Sequence, residues 1–204
     1  MKVKVCGLTR RVDVERCAER GATHVGFVLV PGTPRCVPAD RVRELAADLP
    51  AGVEPVLVFR DPEPAAVLAA ARASGVRRVQ LHRFTAACAA RLEAGGLLVH
   101  RVRDAFAAAA RGALEPFDPL PAEDRPWHLD AAAGGGGRPF DWRCLTPEAP
   151  RSVFIAGGLS PANLPALLEL SPWGIDLSSG VEERPGVKDP RKLDALFRLL
   201  EEVP

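Results

Sequence analysis

The fold class this sequence predicts is α/β: a single small (β/α)8 TIM barrel over residues 1–204, with some helices shortened or missing. Three observations carry that prediction. Strand-like and helix-like segments alternate from end to end, the pattern of a parallel sheet with crossover helices. The strand-like segments number eight, which suits a barrel better than an open sheet. A thiol, Cys6, closes the first strand-like run, while small-residue turns at 156–160 and 176–180 close the last two. First and last strands then become neighbours, as barrel closure requires. The 204 residues sit at the low end for such barrels, so some helices must be abbreviated.

The elements follow in order. Residues 3–6 form a short apolar strand, and residues 12–20 a helix closed by Gly21. Residues 23–30 are strand, and 38–49 helix with Pro38 near its start. Residues 53–59 are strand, and 62–73 an Ala-rich helix ended by Ser74-Gly75. Residues 76–81 are strand, 86–93 a short helix and 96–102 strand; 105–111 is helical at most briefly. The sixth and seventh strands are 126–130 and 152–156, with almost no helix in 141–150 between them. The Gly134–Gly137 run, directly after the sixth strand, reads as an active-face loop. Residues 161–170 are helix with Ser160 as N-cap and Pro161 at N1, 173–177 the eighth strand, and 190–202 a final helix.

Composition narrows the function classes. Hydrophobic residues make up 47% of the chain, formal net charge is +1, and the basic residues are scattered, which argues against a nucleic-acid or anionic-membrane surface. The five cysteines include no C-x-x-C pair, so neither a zinc site nor a disulfide framework is expected. No stretch approaches membrane-spanning length and no signal-peptide core is present, so the expected location is cytoplasmic.

The candidate chemistry lies at strand ends. Lys4 and Cys6 are two residues apart on a strand and share a face, so the ammonium is expected one layer below the thiol, lowering its pKa toward neutrality. A small buried core residue is the other reading of Cys6. Asp130 ends the sixth strand, where enclosure would raise its pKa and suit a general acid; a loop-tethering carboxylate is the alternative. Asp141 reads as a structural turn residue. Gly157 and Gly158, with Ser160, let backbone N–H groups approach an anion, and Ser178, Ser179 and Gly180 offer a second set. Loops after strands seven and eight are the usual phosphate position in such barrels, and ordinary glycine turns are the alternative. Arg35, on the stiff Pro31–Arg35 loop, suits a carboxylate or phosphate clamp, or plain solvent exposure. His82 ends the fourth strand and reads as a packing or hydrogen-bonding residue.

Taken together the segments resemble the phosphoribosylanthranilate isomerase family. The resemblance runs through Lys4–Thr9, Gly26–Pro31 with Arg35, Val79–His82, Leu129-Asp130, Gly134–Gly137 with Phe140-Asp-Trp142, Ala156–Leu159, Ile175–Glu182 and Pro185–Asp189. It implies an Amadori rearrangement of N-(5′-phosphoribosyl)anthranilate, a small-molecule phosphoribosyl substrate, with no metal or cofactor. By resemblance, Asp130 is the general acid that opens the ribose ring and Cys6 the general base that removes the C2′ proton. Arg35 would meet the anthranilate carboxylate, and Gly157, Gly158, Ser178 and Ser179 the phosphate. His82 and Asp176 match polar active-face positions. Two departures stand out: Arg83-Phe-Thr85 follows His82 where the family has Gly and acidic residues, and Arg138-Pro139 replaces Lys and a small polar residue. The first adds positive charge at the strand-four mouth and the second stiffens a loop.

Two rival readings differ in the residues they require. A dual-substrate isomerase of histidine and tryptophan synthesis would need carboxylates at the ends of strands one and five, where Cys6 and His100–Val102 stand. A catalytically silent phosphosugar-binding barrel would keep the turns without needing Cys6 or Asp130. Monomer and homodimer are both compatible with the sequence.

Overall fold

The computed structural model describes residues 1–105, 117–130 and 151–201. Eight parallel strands close into a barrel in sequence order. They are β1 (Lys2–Cys6), β2 (His24–Val28), β3 (Glu54–Arg60), β4 (Arg78–His82), β5 (Leu98–Asp104), β6 (Trp127–Asp130), β7 (Val153–Ala156) and β8 (Gly174–Leu177). Closure is made by β1 pairing with β8, Lys4 opposite Asp176. Neighbours in sequence are thus neighbours in space, and every strand points its carboxyl end at one face.

The period-2 alternation of each strand divides the buried residues in two. One set faces outward: Val3, Val5, Val25, Phe27, Leu57, Val79, Leu81, Val99, Ile155 and Ile175 join one apolar core. Helices α1 (Arg11–Glu19), α2 (Ala39–Ala46), α3 (Pro64–Ser74) and α4 (Ala86–Ala94) cover it. Each helix offers a stripe at i, i+3 or i+4, such as Val67 and Ala71 on α3 or Cys88, Ala89 and Leu92 on α4. Thr85 caps α4 through Cys88 N, and Glu63 caps α3 through Ala65 N with Pro64 behind it. The second set lines the barrel interior, and it is polar: Lys4, His24, Gln80, His100, His128 and Asp176 are all buried there, with Phe154 among them.

β5 runs two residues past its expected end at 102 and closes on Asp104. A carboxylate does therefore stand at the end of strand five, and only Cys6 at the end of strand one still argues against the dual-substrate reading. The other differences from the sequence-based expectations cluster in the last third. The helix expected over 161–170 shrinks to α5 (Leu164–Leu168) behind a turn at 161–163. Asn163, and not Ser160, sets its start: its side chain accepts from Ser160 N at 2.8 Å and donates to Gly158 O at 2.9 Å, locking a turn where a first helical turn was expected. After β8 the chain forms a short 3₁₀ turn (Ser179–Val181) and an unexpected antiparallel hairpin of β9 (Glu182–Arg184) and β10 (Val187–Lys188). It then enters α6 (Pro190–Glu201), capped by the Asp189 carboxylate. The Gly134–Gly137 loop, Asp141, Arg138-Pro139 and the brief helix after β5 lie outside the described residues, apart from Ala105.

Candidate active site

The strand ends gather the predicted residues around one mouth. Cys6 ends β1, His82 ends β4, Asp130 ends β6 and Asp176 lies inside β8. The hydrogen-bond register places Asp130 opposite Ala156, Ala156 opposite Asp176, and Asp176 opposite Lys4. These four form one row across β6, β7, β8 and β1, and Cys6 stands two residues above Lys4, as their shared face requires.

Beneath the thiol lies an ionic pair sealed from solvent. Lys4 Nζ donates to Asp176 Oδ1 at 3.0 Å and Oδ2 at 2.9 Å. Asp176 Oδ2 also meets His128 Nδ1 at 3.2 Å, and His128 Nε2 meets His100 Nδ1 at 3.3 Å. An ionised carboxylate only accepts, so His128 carries its proton on Nδ1 and accepts at Nε2. His100 then donates from Nδ1, which leaves a bare lone pair on its Nε2, the atom with no partner among the described residues. Burial opposes the Asp176 charge, but Lys4 and His128 outweigh it and draw its pKa down to about 2. Burial likewise opposes the charge on Lys4, and the Asp176 carboxylate outweighs it, holding Lys4 above the ordinary ammonium range. Asp176 is thus committed to Lys4 and His128 rather than standing free at the mouth.

The expected drop in the Cys6 pKa does not occur. Burial pushes the thiol up and outweighs the lowering by Lys4; Asp176 pushes it up further, and Lys188 adds a smaller lowering. The resting group is therefore a thiol. Room beside it comes from Gly26, the Cα partner of Cys6 on β2. A Cβ at Gly26 would fall 2.9 Å from Cys6 Sγ and 3.0 Å from Lys4 Nζ, so thiol and ammonium converge on the space that a side chain there would fill.

The two turns touch. A Cβ on Gly180 would fall 1.9 Å from Leu159 O and 3.0 Å from Ser160 Cα, so the turn after β8 lies directly on the turn after β7. Gly157 and Gly158 have φ of 89° and 67°, the left-handed region that glycine enters at low steric cost. Ser178 Oγ donates to Cys6 O at 3.2 Å, tying the second turn to the thiol's own residue.

Arg35 reaches the same corner. Its stem crosses Gly7, where a Cβ would sit 2.7 Å from Arg35 Cδ and 3.2 Å from Ser178 Oγ. Its guanidinium is held bidentately by Glu182. His82 is half-buried, with Nε2 at 3.2 Å from Gln80 Nε2, and burial lowers its pKa to about 3, so it is neutral. Arg83 adds less positive charge at the mouth than expected, because Asp61 pairs with it at 3.1 Å. Asn163, His128, Glu182 and Lys188 also build the site, and the sequence by itself does not single them out. Only an alternating His128-Leu-Asp130 pattern hinted that His128 faces inward.

The family model described as N-(5′-phosphoribosyl)anthranilate isomerase matches residues 3–198. The N-(5′-phosphoribosyl)anthranilate isomerase of Rubrobacter xylanophilus is 40% identical over 197 residues, covering 92% of each chain. The chain belongs to the phosphoribosylanthranilate isomerase family. It is an isomerase family of tryptophan biosynthesis, and the closed eight-stranded barrel is the fold its solved members share. The crystal structure of phosphoribosylanthranilate isomerase from Thermus thermophilus superposes with a TM-score of 0.84 at 33% identity, covering 100% of both chains. A phosphoribosylanthranilate isomerase in complex with reduced 1-(o-carboxyphenylamino)-1-deoxyribulose 5-phosphate superposes with a TM-score of 0.79 at 28% identity, over 97% of each chain.

Proposed function

We propose that this protein converts N-(5′-phosphoribosyl)anthranilate to 1-(2-carboxyphenylamino)-1-deoxyribulose 5-phosphate, with Asp130 as general acid and Cys6 as general base. The single observation that carries this reading is the convergence of the Cys6 thiol with the buried Lys4 ammonium beside touching glycine turns at the ends of β7 and β8.

The steps are those the family resemblance implies, and that geometry supports them. The substrate phosphate sits on the backbone of Gly157, Gly158, Ser178, Ser179 and Gly180, which fixes the ribose across the mouth. The Asp130 carboxyl gives its proton to the ring oxygen, the C1′–O bond breaks, and the anthranilate nitrogen's electron pair forms a cationic Schiff base. That new positive charge, with Lys4 and Lys188, favours ionisation of Cys6, whose thiol proton leaves to water at the mouth before the sulfur acts as base. The thiolate takes the C2′ proton, and the C–H electrons neutralise the imine to an enolamine, which tautomerises to the ketone. Asp176 acts through Lys4, keeping an ammonium next to the thiol in a medium that would otherwise neutralise it. Arg35 meets the anthranilate carboxylate, and neutral His82 lines the mouth as a hydrogen-bonding group.

The test is a fluorescence assay with substrate generated in situ from anthranilate, phosphoribosyl pyrophosphate and the preceding transferase. Consumption of phosphoribosylanthranilate that depends on the protein supports the isomerase. Phosphate-ligand binding without turnover would instead make it a silent phosphosugar-binding barrel.

A further inference from the structure

Glu182 opens β9 with its side chain 4% exposed, and it holds two cations at once. Arg35 Nε donates to Oε1 at 2.9 Å and Arg35 Nη2 to Oε2 at 2.6 Å, while Lys188 Nζ donates to Oε1 at 3.0 Å and Gly186 N to the same oxygen at 3.2 Å. Lys188 is fully buried, and its ammonium also donates to Cys6 O at 2.6 Å and Ser178 O at 3.2 Å. One carboxylate therefore joins the arginine, the last residue of β1 and the turn after β8.

A guanidinium has two bidentate edges. Glu182 occupies the Nε/Nη2 edge of Arg35. No described residue accepts from Nη1, and the side chain keeps 20% of its surface exposed. An arginine paired with one carboxylate is neutral overall and gains little from meeting a second. Here Lys188 supplies the missing cation, so the Arg35–Glu182–Lys188 cluster keeps one net positive charge.

We infer that Glu182 is a specificity-positioning residue: it grips Arg35 by one edge so that the Nη1 edge faces the carboxylate on the aromatic ring of the substrate, with Lys188 restoring the charge that attracts it. The inference rests on the reading of Arg35 as the carboxylate's partner. Glu182 acts through Arg35 and does not touch the substrate.

Two glycosylamines made by condensing ribose 5-phosphate with anthranilate or with aniline separate the two claims, since only the first carries the carboxylate. The quantity read is the ratio of kcat/KM values, anthranilate over aniline. Arg35→Met is expected to erase the wild-type preference; if it keeps the preference, the reading of Arg35 fails and the inference with it. Glu182→Gln is expected to cut the preference about tenfold or more, through KM on the anthranilate substrate, with a much smaller loss on the aniline one. A preference unchanged or increased in Glu182→Gln, while Arg35→Met loses it, overturns the role of Glu182 alone. Turnover of the aniline substrate certifies that each variant is folded. If Glu182→Gln does not fold, Arg35→Lys takes its place: a point charge cannot hold two carboxylates in fixed geometry, so the preference falls, and its retention overturns the inference.

Discussion

Lys4 Nζ stands 2.9 Å from Asp176 Oδ2 inside the barrel, on the two strands whose pairing closes it. Burying either charge alone is costly, and the pair is tolerated because each satisfies the other while His128 fills a further lone pair of the carboxylate. Removing one partner strands the other. Asp176→Leu and Lys4→Met are each expected to lower stability by about 3–5 kcal/mol, and the double variant to recover much of that loss. Urea unfolding of the two single variants and the double variant measures the coupling; additive losses would contradict it.

The histidines make stability depend on pH in a definite direction. Burial is the main cause in each case: it lowers His24 to about 3, His100 well below its ordinary range, and His128 despite its bond to Asp176. Unfolded, each binds a proton as pH falls through about 6.5, while the folded form does not. Stability is therefore full above pH 6.5 and declines below it, by about 1.4 kcal/mol per pH unit for each imidazole that stays neutral. Asp176 adds a second decline as pH falls from about 4 toward 2, where its native carboxylate is protonated. Urea unfolding from pH 7.5 down to 5 is expected to show the first slope, and His24→Leu to make it shallower. A flat profile would contradict buried neutral histidines.

The thiol of Cys6 responds to charges on three elements. Burial and Asp176 on β8 raise its pKa, whereas Lys4 on β1 and Lys188 on β10 lower it. Alkylation of Cys6 by iodoacetamide, read by mass spectrometry, is expected to keep accelerating above the ordinary thiol range. Lys4→Met moves the midpoint up, and Asp176→Asn moves it down. Identical midpoints in all three proteins would show that the interior charges do not reach the thiol.

Contact between the two turns gives a steric prediction. Gly180→Ala places a methyl group 1.9 Å from Leu159 O, a backbone atom that can yield only by moving the whole turn after β7. We expect KM to rise at least tenfold and thermal stability to fall with it. An unchanged KM would place the phosphate elsewhere.

How much of this was legible in the sequence depended on whether a signal was local. The alternation of strands and helices, the Cys6 strand end and the shared face of Lys4 and Cys6 follow from period-2 and period-3.6 patterns, and the barrel confirms them. Pro161 reads as a first helical residue, but α5 starts later because the Asn163 side chain competes for the same backbone groups. The interior chain of His100, His128, Asp176 and Lys4 was invisible because its members lie far apart in sequence and meet only on barrel closure. The sign of the Cys6 shift was lost for a related reason: spacing reveals a neighbouring ammonium but not the depth of burial that outweighs it. Glu182 and Lys188 were within the stretches that resemble the family, yet their joint hold on Arg35 and on the Cys6 carbonyl needs the β9–β10 hairpin to be seen.

The measurement that tests the central claim most directly is steady-state turnover of phosphoribosylanthranilate by wild type, Cys6→Ala and Asp130→Ala side by side, each checked for fold by circular dichroism. With Cys6 as the base and Asp130 as the acid, both variants keep the barrel and lose about two to four orders of magnitude in kcat. Near-normal turnover in either folded variant would contradict that residue's role.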